Sequence, residues 1–289
     1  MIIVNDNHFV LYFFYLSEVL AMGKNRRKWN EKQYRKYIKE GRGQGTGADY
    51  IPWIKIHDFP SNGVCSRIRG RTTGRIHHLL SRNESAYFYH LDCSEKVSDI
   101  REQFPLRLQD TLDIARSLGI RHPWDHSSDF PIVMTTDFLV TTSDGLLART
   151  VKETAALSDA RVLEKFAIEH AYWNRYAVDW KIVSEKQINF ERSRNLQWLY
   201  YGQSLEELVP DCRKQDRIIA AFLDLYETSG LPLPDAVEIV ETFHSLPPGG
   251  GMAAFKKLII LGLIRVDLSH RIDPAGMSCR KEERTNGIL

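Results

Sequence analysis

Residues 131–157, PIVMTTDFLVTTSDGLLARTVKETAAL, constrain the fold of this chain more than any other stretch. Two short apolar runs, 132–142 and 146–152, flank a Ser-Asp-Gly turn, a pattern that predicts an antiparallel hairpin. With Asp144 and Gly145 as a two-residue loop, Ser143 faces Leu146, and counting outward sets Asp137 opposite Lys152. Opposed residues project to one face, and the period of two adds Thr150 to it. An acid, a hydroxyl and an amine on one face suit a site better than a core. On this stretch alone, a surface ion pair across the hairpin is the simpler explanation.

With 289 residues, 43% of them hydrophobic, the chain can bury one large core or two medium ones. The net charge of +2 sets up no global field, so any nucleic-acid role must rest on local clusters. Cys65, Cys93, Cys212 and Cys279 show no metal-binding spacing and read as reduced thiols of a cytoplasmic protein. His122 and His126 are spaced as metal ligands can be, but Pro123 prevents the helix that would align them, so zinc is not expected. No nucleophile motif for acyl chemistry appears.

Residues 1–22 hold an apolar run too short to span a bilayer and lack the flanks of a signal peptide. They are expected to be a non-native or accessory leader, the preferred reading being translated upstream sequence with Met22 the native start; a partner-binding helix is the alternative. Residues 24–42 carry nine Lys or Arg against two Glu, interleaved with Trp29, Tyr34 and Tyr37. Arg26, Arg27, Lys28, Arg35 and Lys36 are therefore candidates for DNA or RNA phosphate contact, against a solvated helix face with pairs such as Glu31–Arg35. The run GRGQGTG at 41–47 lacks a phosphate-loop ending and is expected to be a flexible joint closing an arm over 23–49.

From residue 66, SRIRGRTTGRIHH predicts a basic hairpin in which Arg67, Arg69, Arg75 and His77 are candidates for phosphate contact, a structural role being the alternative for the histidine pair His77-His78. A helix carrying Glu84 follows, with Leu79, Leu80, Tyr87 and Leu91 at helical spacing, and then a strand over 97–104 stopped by Pro105. A helix acid of this kind is usually solvent-facing.

Five runs in order, HHLLSRNESAYF, DIREQFPL, TTDFLV, the pair Val151-Lys152 and LEKFAIEHAYW, resemble the TnsA family over about residues 41–200. The family supplies the endonuclease subunit of heteromeric cut-and-paste transposons. The resemblance implies an α/β restriction-endonuclease-like (PD-(D/E)XK) domain over 50–201, a mixed sheet flanked by helices. It also implies a metal-dependent site built from a helix Glu, a strand Asp and a strand Lys, which fall on Glu84, Asp137 and Lys152. Phosphodiester hydrolysis asks for such a set: Mg²⁺, with Mn²⁺ substituting, would be held by Glu84, Asp137 and the Val151 carbonyl, with Lys152 beside the phosphate. The family places an acid or amide two residues before the lysine, often glutamine, where this chain has Thr150. Glu169, matching a glutamate of the family's LEK-rich helix, is the candidate to compensate; an exposed helix glutamate is the alternative.

After a final buried strand at 180–183 and a helix around 189–200, the chain changes character at 202–210, the expected domain boundary. Apolar positions then mark three amphipathic helices, with residues 262–274 reading as a β-wing. Together they predict a winged helix over 202–274 and a loose tail over 275–289. Lys256 and Lys257 stand almost alone among apolar side chains on the third helix, which favours a protein partner over DNA. By resemblance that partner is a TnsC-type AAA+ ATPase, with Arg265, His270 and Arg271 sharing DNA contact. The expected activity is cleavage of the 5′ strands of double-stranded DNA at transposon ends, together with a TnsB-type transposase; no membrane is involved. The alternative is a catalytically weak adaptor joining DNA to the ATPase.

Overall fold

The structure, a computed structural model, describes residues 29–58 and 64–280. The expected leader, Arg26, Arg27 and Lys28, and the tail beyond residue 280 lie outside the described residues. Contacts divide the chain into two compact units, one of residues up to 85 with 96–183, the other of 86–95 with 184 onward. Among the described residues, no helix is long and apolar enough to cross a membrane.

The first unit is built on a four-stranded mixed sheet. Strands β1 (Ser66–Arg69) and β2 (Ile76–Leu79) form the expected small antiparallel hairpin, and β4 (Trp124–Asp125) with β5 (Phe130–Pro131) another. The main sheet runs in the order β3 (Val97–Pro105), β6 (Thr135–Thr142), β7 (Gly145–Val151), β8 (Asp179–Val183). The first three are antiparallel, and β8 joins β7 in parallel. A parallel neighbour needs a crossover. Helix α4 (Ala160–Arg175) supplies it, started by Asp159, whose carboxylate accepts from the backbone N–H of Arg161 and Val162. Leu139 and Ala148 from the sheet pack against Ile168, Tyr172 and Trp173 of α4 and against Ile114 and Ala115 of α3 (Leu108–Ser117). Strand β8 is an edge strand with alternating exposed residues, not the buried strand expected.

The hairpin of β6 and β7 is present with a different register. Thr142 pairs with Gly145, so Ser143 and Asp144 form the loop, and every β6 residue meets a partner two positions earlier on β7 than expected. The turn chemistry explains the shift: Gly145 takes φ 122°, and Thr142 Oγ1 accepts from Asp144 N and donates to Gly145 O. Asp137 is therefore not opposite Lys152, which follows the end of β7.

The basic arm becomes part of this unit from Trp29 onward. Helix α1 (Glu31–Lys39), capped by Asn30, presents Tyr34 and Tyr37, which with Trp29 pack edge-on or tilted against Trp53. Such aromatic pairs contribute roughly 0.5–1.5 kcal/mol each beyond burial. Glu31 and Arg35 form the i, i+4 pair of a solvated helix face, and Lys36 lies 3.7 Å from Glu40. The glycine run is an ordered corner, not a flexible joint. Gly43 donates to Ile51 O at 2.6 Å with φ 76°, and a Cβ there would lie 2.2 Å from Pro105 Cγ.

In the second unit, helices α5 (Phe190–Tyr200), α6 (Leu205–Leu208), α7 (Cys212–Thr228), α8 (Leu233–Phe243) and α9 (Gly250–Ile260) enclose a core centred on Ile218, Phe222, Leu233, Ala236, Phe255 and Leu258. These are the three long helices expected, with a short fourth. Residues 262–274 form no strands. Asn195 of α5 donates to the carbonyls of Leu268 and His270 and accepts from Ile272 N, so a side chain replaces the hairpin ladder the wing would have supplied. The chain after residue 275 is not loose up to 280: Leu233 N donates to Met277 O, Cys279 N to Leu231 O and Arg280 N to Tyr226 O.

Candidate active site

The site grows from the end of the β6–β7 ladder. The last recorded pair is Phe138 with Arg149. Beyond it the Asp137 carboxylate takes the place of a backbone acceptor, receiving the Val151 N–H on Oδ2 at 2.7 Å. This turns Asp137 into the junction and keeps its side chain close to the main chain of Val151. Lys152, half-buried, is anchored by its backbone N–H to Val183 O at 2.9 Å, and its charge lowers the Asp137 pKa.

Glu84 enters from the first turn of α2 (Arg82–Asp92). It is 7% exposed, which overturns the solvent-facing expectation. A Ser-x-x-Glu capping arrangement explains its orientation. Ser81 Oγ accepts from Glu84 N, while the Glu84 carboxylate accepts from Ser81 Oγ and from Leu80 N, both at 2.9 Å.

Gln103 of β3 connects the two acids. Its Nε2 lies 3.2 Å from Asp137 Oδ1 and 3.4 Å from Glu84 Oε2. Burial pushes both carboxyls above the ordinary carboxylate range, and the Asp137 charge raises Glu84 further. Donated hydrogen bonds and the Lys152 charge oppose the rise at Asp137 without cancelling it.

Glu169 of α4 is 3% exposed, so it is not an ordinary surface glutamate. Its Oε1 accepts from Thr136 Oγ1 at 2.6 Å and Thr150 Oγ1 at 2.5 Å. Trp173 Nε1 donates to the same Thr136 hydroxyl, and Trp180 Nε1 to that of Thr150. Burial pushes Glu169 up to about 7 despite these hydroxyls, and Asp137 adds to the rise.

Two expected DNA contacts are corrected. Arg75, its side chain 8% exposed, makes a bidentate ion pair with the fully buried Glu102 and also donates to Ile100 O and Gly47 O. His77 is fully buried between Glu102 Oε2 and Thr73 Oγ1, at 2.8 Å from each. A buried carboxylate needs such partners, so both side chains are committed to the fold. Arg67 and Arg69 of β1 are exposed, as are Arg35 and Lys36. His122 is held by Pro123 O and Thr111 Oγ1.

Gln103 and Thr136 escaped the sequence reading, although Gln103 lies within the run DIREQFPL; a strand amide has no motif of its own. Among the described residues, no three His, Cys, Asp or Glu side chains converge as a metal cluster. The Glu84 and Asp137 carboxylates, bridged by the Gln103 amide, are oxygen donors of the kind a hard cation takes. Burial disfavours the charged form of both acids, a cost that a bound divalent cation would offset.

The family model for the TnsA-like endonuclease N terminal matches residues 94–185. The chain is also 39% identical over 250 residues to the Transposon Tn7 transposition protein TnsA of Escherichia coli, an alignment covering 86% of this chain and 90% of that protein.

Proposed function

The chain belongs to the TnsA family, and from that membership we propose that Glu84, Asp137 and Lys152 carry out phosphodiester hydrolysis at transposon ends. The family activity is a metal-dependent DNA endonuclease working with a TnsB-type transposase. The fold is a restriction-endonuclease-like domain followed by one of the winged-helix class, here with its wing region lacking strands. The observation that carries the residue assignment is the pair of acids from separate elements, Glu84 and Asp137, joined through one amide beside a lysine.

In this reading Glu84, Asp137 and the Val151 carbonyl hold the metal, with Mg²⁺ the native ion and Mn²⁺ a substitute. When bound, the ion supplies Lewis-acid stabilisation of charge on the phosphate and leaving 3′ oxygen, and a water nucleophilic near neutral pH. The chain's own residues do the rest. Asp137 is fixed by the Val151 N–H and Glu84 by the Leu80 N–H, so neither carboxylate must be ordered when DNA arrives. Lys152 neutralises charge developing on the phosphate. Glu169 offers a carboxylate behind Thr150, where the family pattern has an acid or amide. That carboxylate argues against the adaptor reading, in which the winged helix and basic arm join DNA to the ATPase and the Thr150 site has decayed.

Arg67 and Arg69, with Arg35, Lys36 and the basic residues 26–28, contact the DNA backbone. The nuclease domain expected over 50–201 corresponds to the first compact unit apart from 86–95 and 184–201, which cluster with the C-terminal unit; the C-terminal domain docks a TnsC-type ATPase. Phe243, 80% exposed beside Ile239 on α8, supports a protein partner there. Arg265 and Arg271 are exposed and available to DNA.

The test is strand-resolved cleavage of transposon-end DNA with the transposase and ATPase supplied. Lys152→Ala and Asp137→Asn should abolish 5′-strand cutting while leaving 3′-strand processing by the transposase in place. Full 5′ cutting by either variant would overturn the assignment.

A further inference from the structure

Gln103 does not behave as a strand residue should. The neighbours β3 would alternate are broken at this point: Glu102 and Gln103 are both buried, at 0% and 2% exposure. Gln103 adopts φ 49°, in the left-handed region that non-glycine residues enter rarely and mostly where the surroundings impose it. The ladder to β6 brackets it, with Glu102 paired to Phe138 and Phe104 to Thr136, so it lies across from Asp137. Its backbone carbonyl accepts from Trp53 N. The amide orientation follows from its partners: Oε1 receives the Thr135 hydroxyl at 3.3 Å, and Nε2 faces the two acids.

A carboxylate has more lone pairs than a metal uses, and donors on the remaining ones fix its rotamer. Gln103 contributes one amide nitrogen toward both acids. Leucine or methionine of similar size would leave each acid to its own partners on separate elements.

We propose that Gln103 is a positioning residue for the metal site, its amide setting the spacing of Glu84 and Asp137 before the ion binds. This role rests on the metal-site reading above. It predicts that Gln103 acts on metal affinity, and on cleavage only through it.

The experiment titrates Mn²⁺ into the full chain, following free Mn²⁺ by electron paramagnetic resonance, for wild type, Gln103→Leu, Gln103→Met and Glu84→Gln. Folding is checked by circular dichroism. Outer partners of metal ligands typically contribute 10–100-fold in affinity, so Gln103→Leu should raise the Mn²⁺ Kd by about tenfold or more. In the assembled cleavage reaction its 5′-strand rate should fall at low Mn²⁺ and return to about the wild-type rate at saturation. An unchanged or tighter Kd in a folded variant overturns the proposal, as does failure of both Gln103→Leu and Gln103→Met to fold. Glu84→Gln separates the two levels. If it binds Mn²⁺ as wild type does, the metal-site reading itself fails; if it loses binding while Gln103→Leu does not, only the role of Gln103 fails.

Discussion

Thr150 donates its hydroxyl hydrogen to Glu169 Oε1 at 2.5 Å, tying β7 to α4 directly behind the lysine that follows the strand. The threonine is thus engaged rather than a gap in the site. Thr150→Val keeps the shape but leaves a buried carboxylate short of one donor. Its unfolding free energy should fall by about 1–3 kcal/mol, the cost of stranding such a group, measurable by urea denaturation. Thr150→Gln restores the family's amide yet breaks the same bond, and should therefore lose stability even if cleavage rises.

Stability without metal should depend on pH with a definite sign. Glu84, Asp137 and Glu169 all have folded pKa values above the ordinary carboxylate value, chiefly through burial. The folded state then holds more protons than the unfolded one, so these groups make stability fall as pH rises from about 4.5 toward their folded values, about 7 for Glu169. Metal-free protein should melt lower at pH 7.5 than at pH 5.5. Added Mg²⁺ should raise the melting temperature more at pH 7.5, where the acids hold fewer protons for the ion to displace. Equal Mg²⁺ gains at both pH values in scanning fluorimetry would remove the basis for this account.

Arg75 should test as a structural residue. Removing one partner of a buried ion pair costs about 3–5 kcal/mol, so Arg75→Ala should lower the unfolding free energy by that order while leaving the salt slope of DNA binding unchanged in whatever remains folded. Arg75→Lys should rescue little, because one ammonium cannot replace the bidentate fork. Glu102, held down to about 2 mainly by Arg75 and His77 against burial, works with the opposite sign. Its contribution is complete above about pH 4.5 and is lost as pH falls toward 2.

Arg67 and Arg69 give the contrasting outcome. Both are exposed on β1 with a buried Ile68 between them. Each phosphate contact removed should reduce the slope of log affinity against log salt by about 1, and charge reversal at both should weaken DNA binding without moving the melting temperature. Filter binding at several salt concentrations, beside a thermal melt, distinguishes them from Arg75.

Much of this was legible in the chain. The hairpin, the strand ending at Pro105, the crossover helix and the three long C-terminal helices each announce themselves through periodicity and turn residues. The register of β6 on β7 did not, because Ser-Asp-Gly accommodates more than one loop and Thr142 selects between them through its hydroxyl. Arg75 and His77 looked like surface cations because Glu102, the acid that buries them, lies 27 and 25 positions along the sequence. The wing failed for a related reason: Asn195, more than 70 residues away, satisfies the backbone that strands would have paired. Glu84 had a local signal in Ser-Arg-Asn-Glu, a capping sequence that turns the acid toward the chain preceding its own helix.

Asp137 ends the pairing of two strands as well as facing Glu84, since its carboxylate receives the main-chain N–H of Val151. A copy of this protein drifting free of selection for cleavage would still be penalised for losing that side chain, because alanine there leaves an amide stranded at the seam of the sheet. Asparagine is the one economical exit: it keeps the acceptor and surrenders the charge. Inactive lineages should therefore carry asparagine at this position more often than any small apolar residue, and a sequence that retains the aspartate is not by that fact alone an active nuclease.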